Sequence, residues 1–260
     1  MNLDAVVLVG RRNPEKPGVS PFSPTGSGIC IHPDGVVATC CHTLVNFLRA
    51  WNPHDLPRGP DTKVVIEDAE PQERPAFSFL SREAFSGLPA ECESKGLFML
   101  SFQANPVQDI AVVELGGTSE ARPLPYVAKI SSKPPMIGER VEFAGHFQGS
   151  EVLYDQEGNV KGWPLVNDSA TVVACLPDGF VFDYPVRPGM SGSGICNQTG
   201  TLVGIVVESW PAEHAAQRIG LKKSLGFAAY AQWLIPQYRA LRSAAENRVA
   251  YGELPWCGGS

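Results

Sequence analysis

From residue 1 to about residue 235 the sequence breaks every few residues into short runs of β-branched and apolar side chains, each bounded by Gly, Pro or Asp. The runs fall at 5–9, 28–31, 36–39, 63–66, 97–102, 110–115, 140–144, 170–174, 179–182, 194–196 and 202–207. Short strands with turn chemistry at such intervals predict an all-β barrel or sandwich rather than an alternating βαβ chain. At 260 residues the chain can bury a sizeable core, as one all-β domain or as two fused barrels. One stretch departs from the pattern. In 236–249, Tyr238, Leu241, Ala245 and Val249 recur at three- and four-residue steps behind Pro236, which suits a first helical turn, and the spacing predicts a helix. The segments 52–60 and 70–89 are polar or proline-rich and poorly periodic, so they read as loops, and the tail 254–260 as a linker.

Charge narrows the function. The 21 Lys and Arg against 27 Asp and Glu leave a net charge of −6, and the adjacent basic pairs are Arg11-Arg12 and Lys222-Lys223. Nucleic acid is therefore not expected as the main partner. No apolar run approaches the about 20 residues needed to cross a bilayer, so no membrane is expected either. The apolar residues 5–9 have neither a basic flank nor a small-residue cleavage site and read as a first strand. Seven cysteines, scattered except for Cys40-Cys41, offer no zinc-ligand spacing and no disulfide framework. They are expected to be reduced thiols in a cytoplasmic protein that needs no metal and no cofactor. His32, His54, His146 and His214 also lack metal-ligand spacing and are expected in surface or turn positions.

The chemistry centres on Ser191, within Arg187-Pro188-Gly189-Met190-Ser191-Gly192-Ser193-Gly194-Ile195. Glycines two before and one after it let the backbone bend tightly around one hydroxyl and leave main-chain N–H groups aimed at a bound carbonyl. A serine hydroxyl is a poor nucleophile at neutral pH and requires a histidine base and a carboxylate to orient that base. His42 ends the β-rich run Gly35-Val36-Val37-Ala38-Thr39-Cys40-Cys41-His42, and Asp109 opens Asp109-Ile110-Ala111-Val112-Val113. Alone, His42 would be a satisfied core histidine and Asp109 an acid capping a turn. Together with Ser191 they read as base and orienter. Ser193 is the rival nucleophile, without glycines in the same register. Cys41 is the other rival, set aside because neighbouring side chains on a strand point to opposite faces.

These three segments resemble the trypsin-like (chymotrypsin-fold) serine peptidases, and especially their bacterial, high-temperature-requirement-like branch. The resemblance lies in Gly26-Ser27-Gly28 leading through a turn and strand to His42, in Asp109-Ile110-Ala111, and in Gly189 to Gly192, in the order His, Asp, Ser. It extends from about residue 3 to 235. It implies an all-β fold of two Greek-key six-stranded barrels, with the C-terminal helix packed on the second. The N-terminal barrel, 1–120, would carry His42 and Asp109 and a loop insertion at about 52–100. The second barrel, 121–235, would carry Ser191, and 236–260 would be helix and tail. Asp109 lies 67 residues after His42, longer than a minimal first barrel needs.

The same resemblance implies an oxyanion hole from the backbone N–H groups of Gly189 and Ser191, and a substrate pocket from Pro185, Val207, Glu208, Gly226 and Phe227. With Pro185 uncharged, a small or medium apolar residue is expected before the scissile bond; Glu208 is expected in solvent, and turned inward it would select Lys or Arg. Met190 stands where digestive and clotting proteases have an aspartate that pairs with a newly cut N-terminus, so activation by that route is not expected. The chain is expected to be a serine endopeptidase acting on a protein or peptide, with a regulatory protein partner as a further possibility. A catalytically silent peptide-binding or scaffolding module and an esterase are the alternatives.

Overall fold

The computed structural model describes residues 1–12, 22–45, 75–79, 97–105, 107–116, 125–127, 129–148, 153–154, 160–162 and 165–250. Six antiparallel strands close a first barrel: β1 (Val6–Arg12), β2 (Phe22–His32), β3 (Val36–Cys40), β4 (Pro75–Phe79), β5 (Leu97–Asn105) and β6 (Ile110–Gly116). Their order around the barrel is β1-β2-β3-β6-β5-β4. A second barrel uses β7 (Arg140–His146), β10 (Leu165–Leu176), β11 (Gly179–Phe182), β12 (Gly194–Asn197), β13 (Leu202–Trp210) and β14 (Leu225–Tyr230), in the order β10-β11-β14-β13-β12-β7. Counted along each barrel, the two orders are the same: the third strand pairs with the sixth. A small hairpin, β8 (Leu153–Tyr154) with β9 (Val160–Gly162), lies in sequence between β7 and β10, and its β9 contacts β2 of the first barrel.

Alternation along the strands fills each interior. In the second barrel Phe143, Phe180, Phe182, Val206, Ala228 and Tyr230 point inward into one cluster, while Val181, Ile205, Val207, Phe227 and Ala229 join the cluster outside it. β3, like β11 and β14, is buried on both faces. One side is its own barrel's core, and on the other the Cys40 thiol donates to the carbonyl of Val206 at 3.0 Å, across to the second barrel. The seam between barrels is thus continuous with the core.

Several boundaries differ from the expected runs for identifiable reasons. β2 and β10 extend to Phe22–His32 and Leu165–Leu176, because strand pairing carries them through polar residues that periodicity leaves out. β4 falls inside the expected loop 70–89. Its five residues pair with β1 and close the barrel, so this part of the presumed insertion is scaffold. The run 63–66 and the tail 254–260 lie outside the described residues. An unexpected helix, α2 (Ala212–Ile219), ends on Gly220 at φ +77°, whose N–H caps the Ala216 carbonyl at 3.1 Å.

The C-terminal helix α3 (Leu234–Ala250) packs against β5 and β6 of the first barrel, not on the second barrel as expected. Leu234 and Leu241 are buried in the cluster that holds the first barrel's core. The Tyr238 ring lies 6.1 Å from His32, and Arg242 reaches Asp34 at 3.4 Å. His146 is likewise corrected: it is fully buried at the end of β7, because that strand runs into the seam.

Candidate active site

His42 lies in a single helical turn, α1 (Cys41–Val45), that starts where β3 stops, and not at a strand end. The turn is docked on the loop between β5 and β6. Cys41 N–H donates to the Asp109 carbonyl at 3.2 Å, and His42 N–H donates to Asp109 Oδ1 at 2.9 Å. The other carboxylate oxygen, Oδ2, is hydrogen-bonded to His42 Nδ1. One carboxylate therefore fixes both the backbone and the ring of His42, leaving Nε2 as the nitrogen available for proton transfer.

Asp109 reaches this position with φ +53°, the only left-handed non-glycine residue among those described. Aspartate tolerates this region better than most side chains, at a cost of about 1 kcal/mol. Asn105 sets up the turn before it, accepting the N–H groups of Val107 at 3.2 Å and Gln108 at 3.3 Å on its Oδ1. Both members of the pair are partly open to solvent, His42 at 46% and Asp109 at 28% of side-chain area.

The serine comes from the loop between β11 and β12. Gly189 and Gly192 sit at φ +91° and +90°, where L side chains are strained. A Cβ at Gly192 would also collide with the Ser27 carbonyl and the Thr39 hydroxyl. Met190, completely buried, anchors the loop in the second barrel's core. The carbonyls of four successive residues are engaged: Pro188 by Gln148 N–H at 2.7 Å, Gly189 by Ser27 Oγ at 3.0 Å, Met190 by Ser193 N–H at 2.9 Å and Ser191 by Ser27 N–H at 2.8 Å. Of the amides, Met190 N–H goes to Arg187 O at 3.1 Å and Gly192 N–H to Val206 O at 2.8 Å. The N–H groups of Gly189 and Ser191 have no partner among the described residues. Because the peptide bonds are trans, Gly189 N–H points opposite the Pro188 carbonyl that Gln148 holds.

Ser191 is half-buried, and its hydroxyl donates to the Val207 carbonyl at 3.1 Å rather than to His42. The loop nevertheless abuts the helical turn that carries His42. A Cβ on Gly26 would collide with the side chain of Thr43, next to His42, and come within 3.0 Å of the Ser191 carbonyl. The rival Ser193 is fully buried, with its Oγ unpartnered against Gly145, where a Cβ would not fit. Cys41 is also buried, its thiol donating to the Ile110 carbonyl at 2.9 Å; burial first, then the Asp109 charge, push that thiol well above its ordinary range. Cys40, His42 and Asp109 offer ligand atoms within 4.8 Å of one another. The Cys40 thiol is bonded to Val206 O and likewise pushed up by burial, and His42 Nδ1 is occupied by Asp109, so these ligand atoms are already engaged.

Four of the expected pocket residues, Val207, Glu208, Gly226 and Phe227, lie together where β13 pairs with β14. Val207 accepts the Ser191 hydroxyl on its carbonyl and sits at a bulge where β13 meets Phe227 of β14. Phe227 stacks on Trp210 at 5.2 Å and 4°, and Trp210 is further covered by His214 at 4.7 Å and the Arg218 guanidinium at 5.8 Å. Glu208 is exposed, and Trp210 Nε1 donates to its Oε1 at 2.8 Å. Gly226 faces the Phe182 ring in the barrel interior, and Pro185 is exposed. Sequence reasoning missed Trp210 and the α2 residues that pack on it, although Pro211 and Gly220 bracket that helix.

Two antiparallel barrels of identical strand order, with a His–Asp pair at the edge of one and a glycine-bounded serine on the facing loop of the other, define the trypsin-like class. Residues 26–205 match the family described as the trypsin-like peptidase domain, and the chain belongs to that family. Among solved structures it is similar to a serine endoprotease from Yersinia pestis, at 17% sequence identity and a TM-score of 0.55, over 94% of this chain and 65% of that one. The chain thus spans about two thirds of that endoprotease's length. No curated protein sequence matches it.

Proposed function

We propose that the protein is a serine endopeptidase in which Ser191 is the nucleophile, His42 the general base and Asp109 its orienter. The observation that carries the proposal is the double hold of Asp109 on His42, at its backbone N–H and its Nδ1, which fixes the ring and the tautomer. The Ser191 hydroxyl turns from the Val207 carbonyl toward His42 Nε2 and attacks the substrate carbonyl as His42 takes its proton. The oxyanion settles against the N–H groups of Gly189 and Ser191, and His42 protonates the leaving amine as the C–N bond breaks. Water, deprotonated by His42, then hydrolyses the acyl-enzyme and restores Ser191. Asp109 remains a carboxylate throughout and stabilises the imidazolium.

A protein or peptide is the substrate, with a small or medium apolar residue before the scissile bond, and no metal or cofactor takes part. Cys30, Cys40, Cys41, Cys175 and Cys196 are free thiols, which supports a reducing, cytoplasmic setting. No described helix is long and apolar enough to cross a membrane. The test is labelling of purified protein with an organophosphonate fluorophore, together with cleavage of a denatured protein substrate. Wild type is expected to be labelled on Ser191 and to cleave, and Ser191→Ala to do neither. A second reading, a silent peptide-binding module, is favoured by the Ser191–Val207 hydrogen bond alone. Peptide binding with no labelling at any pH would establish it.

A further inference from the structure

Two of the four carbonyls that shape the nucleophile loop are held by one residue of the other barrel. Ser27 lies on β2, fully buried. Its N–H donates to Ser191 O at 2.8 Å and its hydroxyl to Gly189 O at 3.0 Å. The same oxygen accepts His146 N–H at 2.8 Å, with His146 O at 3.2 Å a longer alternative for the proton. Ser27 is itself held: its carbonyl accepts the Thr39 hydroxyl at 2.7 Å, and Thr39 Oγ1 lies 3.0 Å from Thr43 Oγ1, whose proton reaches Cys40 O at 2.7 Å. A buried chain of hydroxyls therefore runs from the turn that carries His42 to the loop that carries Ser191.

We infer that Ser27 is a positioning residue: its hydroxyl and amide hold the carbonyls of Gly189 and Ser191 so that the unengaged N–H groups of that turn face the substrate. The inference rests on the peptidase reading above. The Gly189–Met190 and Ser191–Gly192 peptide planes are pinned from the first barrel; the planes that bear the oxyanion donors, Pro188–Gly189 and Met190–Ser191, adjoin them and share their Cα hinges, so the donors are oriented before substrate arrives. A buried acceptor that loses its donor seeks another, and the nearest freedom the loop has is rotation of these planes. Ser27 touches no substrate, and its influence lies in the transition state, where the charge on the carbonyl oxygen develops.

The experiment compares wild type, Ser27→Ala, Ser27→Cys and Ser191→Ala on one peptide substrate and on a peptidyl boronic acid of the same sequence, which forms a tetrahedral adduct in the same site. Ser27→Ala is expected to lower kcat by about 10- to 100-fold with KM within about twofold, and to weaken boronate binding by the same factor as kcat. Affinity for the cleaved product peptide is expected to be unchanged. Ser27→Cys, which keeps the volume but has a weaker donor, is expected to fall between the two, and it carries the test if the alanine variant fails to fold. A kcat within twofold of wild type for the folded variants would overturn the role of Ser27 while leaving the peptidase reading intact. So would a loss confined to KM with unchanged boronate affinity. Wild type that neither cleaves nor binds the boronate overturns both.

Discussion

The two halves of the site are built in opposite ways. His42 is held from its own barrel, by a helical turn at the end of β3 and a strained Asp109 on the adjoining loop, with both side chains partly in solvent. The Ser191 loop is held from both barrels, its Gly189 and Ser191 carbonyls by buried groups of Ser27 across the seam and the rest from its own barrel by Gln148, Val206 and the buried Met190. The His42 side is fixed within one barrel and the Ser191 side by groups of both. Substitutions on the first should damage chemistry without damaging the fold, and substitutions around the second should damage both.

The sharpest separation comes from the reacting groups. Asp109→Asn is expected to lower kcat by about 10⁴-fold, and His42→Ala combined with Ser191→Ala to be scarcely worse than either alone, with the thermal midpoint little changed. Multiplicative losses in the double variant would contradict a shared mechanism. Next in size is Gly192→Ala. Its left-handed φ and the collision with Ser27 and Thr39 predict loss of activity and a clearly lowered midpoint. Gly200→Ala is the control: it too has a positive φ, +74°, but open space around it, so the expected cost is about 1 kcal/mol with activity kept.

A smaller effect concerns the thiols. Burial pushes Cys30 and Cys196 from 9.0 to about 12, while Cys175 is exposed. A thiol whose folded pKa is raised favours the folded state below pH 9 and loses that contribution as pH rises toward about 12. Stability should therefore decline across that alkaline window, by less in Cys30→Ser and Cys196→Ser than in wild type. At pH 8, among the described cysteines, only Cys175 should react with a thiol reagent in native protein. Fast modification of Cys40 would show that the seam opens. The least expected effect is Arg242→Ala, because its exposed 3.4 Å pair with Asp34 is worth at most about 0.5 kcal/mol in chemical denaturation.

What was readable in the sequence follows the same division. His42, Asp109 and Ser191 stand in short motifs whose meaning is carried by adjacent residues, and the barrels announced themselves through strand periodicity and turns. Features made by distant contacts were not readable in that way. Ser27 appears in the sequence only as the middle of Gly26-Ser27-Gly28, and nothing local says that its hydroxyl meets a loop 162 residues away. β4 was hidden because Pro75, Ser78 and polar neighbours obscure five residues whose strand character comes from pairing with β1. The amphipathic spacing of α3 showed that it has an apolar face, but periodicity cannot name the surface that face will cover.

That surface has a consequence for how the chain acquires its structure. The strands of the first barrel precede the second in sequence, yet β5 and β6 are capped by α3, which follows the entire second barrel. During synthesis the first barrel must wait, with that face uncovered, until the later half has emerged and folded back. The two barrels are therefore one cooperative unit despite their separate hydrogen-bonded sheets. An isolated 1–120 fragment should expose an apolar flank and aggregate, and a single unfolding transition should describe the intact chain.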